Sequence, residues 1–362
     1  RIMFIKFRRR YSAEMKSQKQ DYLNFLSSMK KFIVTIFLTA LPLISIFGQG
    51  FLINESNNIQ AVNPSYYAFN FESRVGVMYN TISYDGIKNI DTKYAFSGYS
   101  LQKLNFSLGL DLLSHSVNEF GYTENQLNLT YVYKLDVGRD LVVLPSVYVG
   151  VFNRGVDASS YIFEDQLILS EGIILPSSND PLLGIAQSNN SFDVGLSALM
   201  YNENFLFGIS AKHINSASIG FNSENTENRD LSIAVQGAYE KEIDPYGRLS
   251  FSNHSYVFLY GSATKIGQIL KLYFSQELQL DGFRVGVHQK LTQFENFSLV
   301  NLGLNTGIEA RNINFNAAYS FPLNNSVLNS PGIFELSIQF NFTPWLSKNR
   351  LDYKRLRNFN YY

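Results

Sequence analysis

Hydrophobic and polar residues alternate one by one along most of this chain. In 333–342, Phe334, Leu336, Ile338, Phe340 and Phe342 share one face, and Glu335, Ser337, Gln339 and Asn341 share the other. The same split separates Ile313, Phe315, Ala317, Tyr319 and Phe321 from Asn312, Asn314, Asn316, Ala318 and Ser320, and sets Leu104, Phe106, Leu108, Leu110 and Leu112 against Asn105, Ser107, Gly109 and Asp111. Successive side chains of a strand point to opposite faces, so this period predicts strands with one apolar and one polar face. Fourteen such segments are predicted, at 71–80, 92–101, 104–113, 125–135, 140–152, 191–201, 205–213, 230–240, 249–260, 264–277, 280–290, 296–307, 312–321 and 333–342.

Segments of about ten residues in an even number fit a transmembrane antiparallel β-barrel. The expected connections alternate in length: 81–91 then 102–103, 114–124 then 136–139, 153–190 then 202–204, with 214–229 long again. Long loops would then leave one rim and short turns the other, as in outer-membrane barrels. A soluble β-sandwich would also alternate. Against it, the polar faces carry Asn, Ser, Gly and Gln rather than Lys and Glu, and Tyr131, Tyr133, Tyr148, Tyr201, Phe321 and Phe342 fall near strand ends, where interfacial aromatics belong.

Charge changes the picture at the N-terminus. The 362 residues hold 30 Lys+Arg and 30 Asp+Glu. Nine of the bases but only two of the acids lie in 1–31, and 32–48 is uncharged, which leaves 21 bases and 28 acids from Gln49 onward. A chain with that acidic excess lacks the basic surface that nucleic acid requires. Met29-Lys30-Lys31, an uncharged run from Phe32 to Phe47, and Gly48 have the layout of a secretory signal peptide. The run is shorter than the ~20 apolar residues of a spanning helix, and it contains Pro42. The expected organisation is an over-extended start at 1–28, a signal peptide at 29–48, a plug or periplasmic leader at 49–70, the barrel at 71–342, and a basic periplasmic tail at 343–362.

Chemistry is sparse. The chain has no cysteine, which excludes disulfides and thiolate sites. It shows no nucleophile elbow, zinc helix or phosphate loop, and its four histidines, His115, His213, His254 and His288, are separated without metal-ligand spacing. No catalysis, cofactor or metal is expected. Three features remain: the segment 49–70; the long loop 153–190 with Ile173, Ile174, Leu175 and Leu182, too apolar for a solvated connection; and the basic tail.

Several short motifs, taken in order, resemble the PorP/SprF family of type IX secretion membrane proteins. Asn63, Pro64 and Tyr66 match its opening Asn-Pro-Ala-Tyr-Ala-Gly, while Ser65 and Tyr67 depart from it. Ser191-Phe192-Asp193-Val194-Gly195-Leu196 leads to a segment where Gly208, His213 and Asn215 match, with Ile214 for Leu. Glu335 and Ser337 match the closing His-Glu-Ile-Ser-Leu, with Phe334 for His. The resemblance implies a non-catalytic, integral outer-membrane barrel. It implies as partners the outer-membrane lipid, the type IX secretion components and a secreted cargo protein with a C-terminal sorting domain, often an adhesin of gliding or attachment. Candidate partner-binding residues are Asn63, Pro64, Tyr66, Ile173, Ile174, Leu175, Leu182, His213, Asn215 and Glu335. The alternative is an outer-membrane channel for small or hydrophobic solutes.

Overall fold

The computed structural model describes residues 54–84, 87–118, 121–138, 140–157, 164–168, 173–178, 188–220, 228–243, 255–293, 297–310, 312–323 and 332–343. Among them are fourteen long strands: β1 Arg74–Tyr84, β2 Ile87–Leu101, β3 Phe106–Val117, β4 Tyr122–Tyr133, β5 Leu141–Val156, β6 Ser188–Tyr201, β7 Phe205–Lys212, β8 Ser232–Glu242, β9 Tyr256–Ile266, β10 Ile269–Leu280, β11 Phe283–Gln293, β12 Phe297–Ala310, β13 Ile313–Pro322 and β14 Ile333–Asn341. Each pairs antiparallel with its sequence neighbour, and β1 pairs with β14 from Arg74↔Asn341 to Ile82↔Ile333, which closes the barrel. Leu135–Val137 continues the line of β4 beyond Lys134 and pairs with the start of β5.

The wall is hydrophobic outside and polar inside. Val77, Leu110, Leu129, Val151, Leu196, Ile209, Leu304, Phe315 and Ile338 are all exposed, whereas Asn80, Asp111, Thr130, Gln236, Glu277, Asn305 and Ser320 are buried. A soluble barrel could not leave that much aliphatic surface in water; a hydrocarbon surround removes the cost. The alternation is therefore a division between lipid and lumen, and the protein is an integral outer-membrane barrel.

All fourteen expected strands are present, but several boundaries differ. The long connection expected at 81–91 is absent, because β1 and β2 continue pairing through Thr81↔Asp91 to Tyr84↔Ile87. There the outward positions Thr81 and Asp91 are polar, so alternation fades while the ladder continues. Likewise β3 runs on to Val117, and β4 begins at Tyr122 within the expected loop 114–124. The segment expected at 264–277 contains a tight turn instead: Ile266 pairs with Ile269 across Gly267 and Gln268, with Gly267 at φ 55°. Positive φ suits a two-residue hairpin, and the flanking isoleucines hide it in a hydropathy pattern. The expected tendency of connections to alternate long and short is therefore corrected. Tight turns occur on both rims, and one rim is distinguished by the long segments 157–187 and 213–231.

Candidate functional site

The lumen is occupied by the chain's own N-terminal segment. Ile59–Val62 makes one helical turn, and Asn63 caps the following 3-10 stretch Pro64–Phe71, its Oδ1 accepting from Ser65 N at 3.0 Å. A short polar side chain before Pro at the first helical position starts a helix here, since Pro has no N–H to lose. Nearly every residue from 54 to 74 is buried.

This segment bonds to nine of the fourteen wall strands. Asn54 N donates to Glu335 Oε2 on β14 at 3.3 Å, and Ser56 Oγ donates to Glu277 Oε1 on β10 at 2.5 Å. Arg284 of β11 donates to Asn57 Oδ1 at 2.9 Å, and Gln339 of β14 donates to the Asn57 carbonyl at 2.7 Å. Ser262 of β9 donates to Glu55 Oε2 at 2.5 Å. Asn63 Nδ2 donates to the carbonyls of Ala198 and Ile209 on β6 and β7 at 3.1 and 3.2 Å. Ser65 Oγ shares hydrogen bonds with Ser146 and Ser197 at 2.9 and 2.8 Å. Tyr67 OH reaches Asp111 Oδ2 on β3 at 3.2 Å and Tyr94 OH on β2 at 3.3 Å. These bonds pair polar atoms across an enclosed boundary, where an unpaired one is costly.

Glycines make the seat. A Cβ at Gly109 would lie 2.3 Å from the Tyr67 ring, and one at Gly208 would lie 2.6 Å from Asn63 Nδ2. Below the plug, Glu72 precedes β1 with its Oε2 3.7 Å from Arg74 Nε. Burial pushes the Glu72 carboxyl up to about 7; the Arg74 guanidinium opposes the shift less strongly, and Glu309 adds to it.

A roof forms at the rim of the long loops, where two of the sequence motifs meet. Asp193 Oδ2 lies 2.8 Å from His213 Nδ1, with Tyr148 OH donating to it at 3.3 Å. Arg229 sits 3.5 Å from Asp193, 3.6 Å from Glu124 and 4.1 Å above the Phe152 ring. Asn215 Nδ2 donates to Phe192 O at 2.6 Å, and Val194 N donates to Asn215 Oδ1 at 3.3 Å, so Asn215 caps the backbone of β6 where β7 no longer pairs with it. His213 takes φ 61°, which turns the chain off the end of β7. Gly195 leaves space for the Tyr148 ring, which a Cβ would meet at 2.1 Å.

The sequence-selected residues therefore separate into groups. Asn63, Pro64, Tyr66 and Glu335 are buried in the plug and its seat, with Tyr66 stacked on Phe69 at 4.8 Å and under Arg74. His213 and Asn215 hold the roof. Ile173 and Ile174 form a small ladder with Leu167–Ile168 in the long loop, where Leu167, Ile174 and Leu175 are exposed. Leu182 lies outside the described residues, as do the expected start, signal peptide and tail, residues 1–53 and 344–362. Residues not selected but central here are Tyr67, Asp111, Ser65, Ser146, Ser197, Tyr148 and Arg229. Inward parity marks the wall positions among them but gives no sign of what they meet.

Solved structures align with the chain at low identity. The outer membrane protein Omp33 of Acinetobacter baumannii aligns with 75% of this chain and 100% of its own at 9% identity and TM-score 0.42. A TodX deletion mutant, a monoaromatic hydrocarbon channel, aligns over 75% and 89% at 10% identity and TM-score 0.41, and KdgM porin over 74% and 99% at 7% and 0.34. No curated protein sequence matches. The family profile described as type IX secretion system membrane protein PorP/SprF matches residues 56–340, a span that runs from the plug to the last strand. The chain that seats its own Asn63-Pro64 segment inside fourteen inside-polar strands belongs to the PorP/SprF family of type IX secretion system membrane proteins.

Proposed function

We propose that this protein is a non-catalytic partner and anchor for secreted cargo bearing a C-terminal sorting domain, holding it at the cell surface for adhesion or gliding-type functions. The observation that carries this reading is the lumen filled by residues 54–73, bonded to wall strands on every side, beneath a loop rim that presents exposed Leu167, Ile174 and Leu175. A filled lumen suits a barrel that works through its rim, and apolar side chains on a surface loop suit a protein contact.

Trimming 160–185 is expected to leave a folded, heat-modifiable barrel and to release the cargo from cells into the medium. Cargo still held by trimmed cells would move the docking site to another surface. The second reading, a solute channel, draws on the noncovalent hold of the plug, which displacement would open. Reconstituted barrel separates the two: solute flux without a protein partner supports the channel, whereas a closed barrel that co-purifies with a sorting domain supports the anchor.

A further inference from the structure

Between the plug and the roof lies a cavity of about 200 Å³. Its floor is Glu55 and Gln60–Val62, its roof is His213 and Arg229, and its wall includes Lys212, Asp111 and Lys271. Most of its charged groups are committed. Asp111 accepts from Asn128 Nδ2 at 2.7 Å and from Tyr67, Glu55 accepts from Ser262, Lys212 donates to the Ala61 carbonyl, and Arg229 pairs with Glu124 and Asp193.

Two donors are not. Lys271 forms no ion pair or hydrogen bond among the described residues, and its electrostatic neighbours are Lys290, of like charge, and Glu55, of opposite charge. Gln60 is 3% exposed, and its amide nitrogen has no hydrogen-bond partner of good geometry. The Tyr94 hydroxyl beside it can take at most one of its two hydrogens. A buried donor without an acceptor is destabilising, and a ligand oxygen would relieve it.

We propose that this cavity binds a small monocarboxylate, with the Lys271 ammonium and the Gln60 amide as its donors. The volume exceeds the roughly 150 Å³ that holds a benzene-sized guest. Among the groups lining the chamber, the three cations Lys212, Lys271 and Arg229 exceed the two acids Glu55 and Asp111 by one, so a single negative charge balances it, whereas a dianion or a neutral ligand would not. This goes beyond the anchor reading and does not depend on it.

Calorimetric titration of the purified full-length barrel in detergent tests the proposal, with sodium acetate and sodium benzoate at constant ionic strength and with sodium chloride and sodium phosphate for comparison. Saturable binding of a carboxylate is expected, at least tenfold weaker in Lys271→Gln, retained in Lys271→Arg, and weakened in Gln60→Met, which changes the floor rather than the wall. Absence of saturable heat with both carboxylates, equal affinity in folded Lys271→Gln, or chloride binding as tightly as carboxylate would each overturn it. If Lys271→Gln does not fold, Gln60→Met decides: unchanged affinity there rejects the site.

Discussion

Replacing Gly109 with alanine should loosen the plug without harming the wall. The new Cβ would fall 2.3, 2.5 and 2.7 Å from three carbons of the Tyr67 ring, well inside contact distance. The ring cannot easily give way. It is 2% exposed, its Cδ1 is already 3.1 Å from where a Cβ on Gly98 would lie, and its hydroxyl is tied to Asp111 and Tyr94. Overpacking of this kind costs about 1–3 kcal/mol. Shifting the ring also breaks two hydrogen bonds at about 1 kcal/mol each. A net loss of about 3 kcal/mol raises the undocked population roughly a hundredfold. The chain has no cysteine, so Ser65→Cys provides a single reporter at a position that is 0% exposed when docked. Maleimide labelling of that cysteine should be about a hundredfold faster when Gly109→Ala is added. Gly237→Ala is the control, since its Cβ meets only Leu206 O at 3.7 Å, and it should leave the rate unchanged. Equal labelling with and without Gly109→Ala, in barrels that remain heat-modifiable, would refute the proposed seat.

Ile338→Arg puts a charge on the exposed lipid face and should cost about 2–4 kcal/mol in unfolding from lipid vesicles. Gln339→Arg faces the lumen and should cost about 1 kcal/mol, chiefly the lost bond to Asn57; equal costs would contradict the facing. Glu72 is an acid whose folded value, about 7, exceeds its ordinary 4.5, so the folded state binds the extra proton. Its contribution is therefore complete below about pH 4.5 and is lost as pH rises through 7, by about 3 kcal/mol in all. Thermal melts from pH 5 to 8 should show that decline, and Glu72→Gln should flatten it. Asp193→Asn removes the carboxylate that faces His213 and Arg229, and should speed proteolysis within 213–231 at least severalfold in a barrel of unchanged heat-modifiability.

The fourteen strands and the facing of Phe334 to Phe342 were legible in the sequence, because a strand writes its two environments into a period of two and each residue carries its own part of that signal. The family motifs were legible as spellings: Asn63-Pro64, Gly208, His213 and Asn215 are readable without any fold. What they do was not. Only closure of the barrel brings Asn63 over Gly208, Tyr67 over Gly109, and Asp193 to His213. Those contacts join residues from 20 to 145 positions apart and have no periodicity to announce them. The close pairings Tyr84↔Ile87 and Ile266↔Ile269 were likewise outside the hydropathy pattern, since a ladder can continue where hydropathy stops alternating and can turn within an apolar run. Residues 54–73 belong to the same class. Their own pattern leaves plug and leader equally open, and their place in the lumen is set by polar atoms on the inner wall that are satisfied only once all the strands have met.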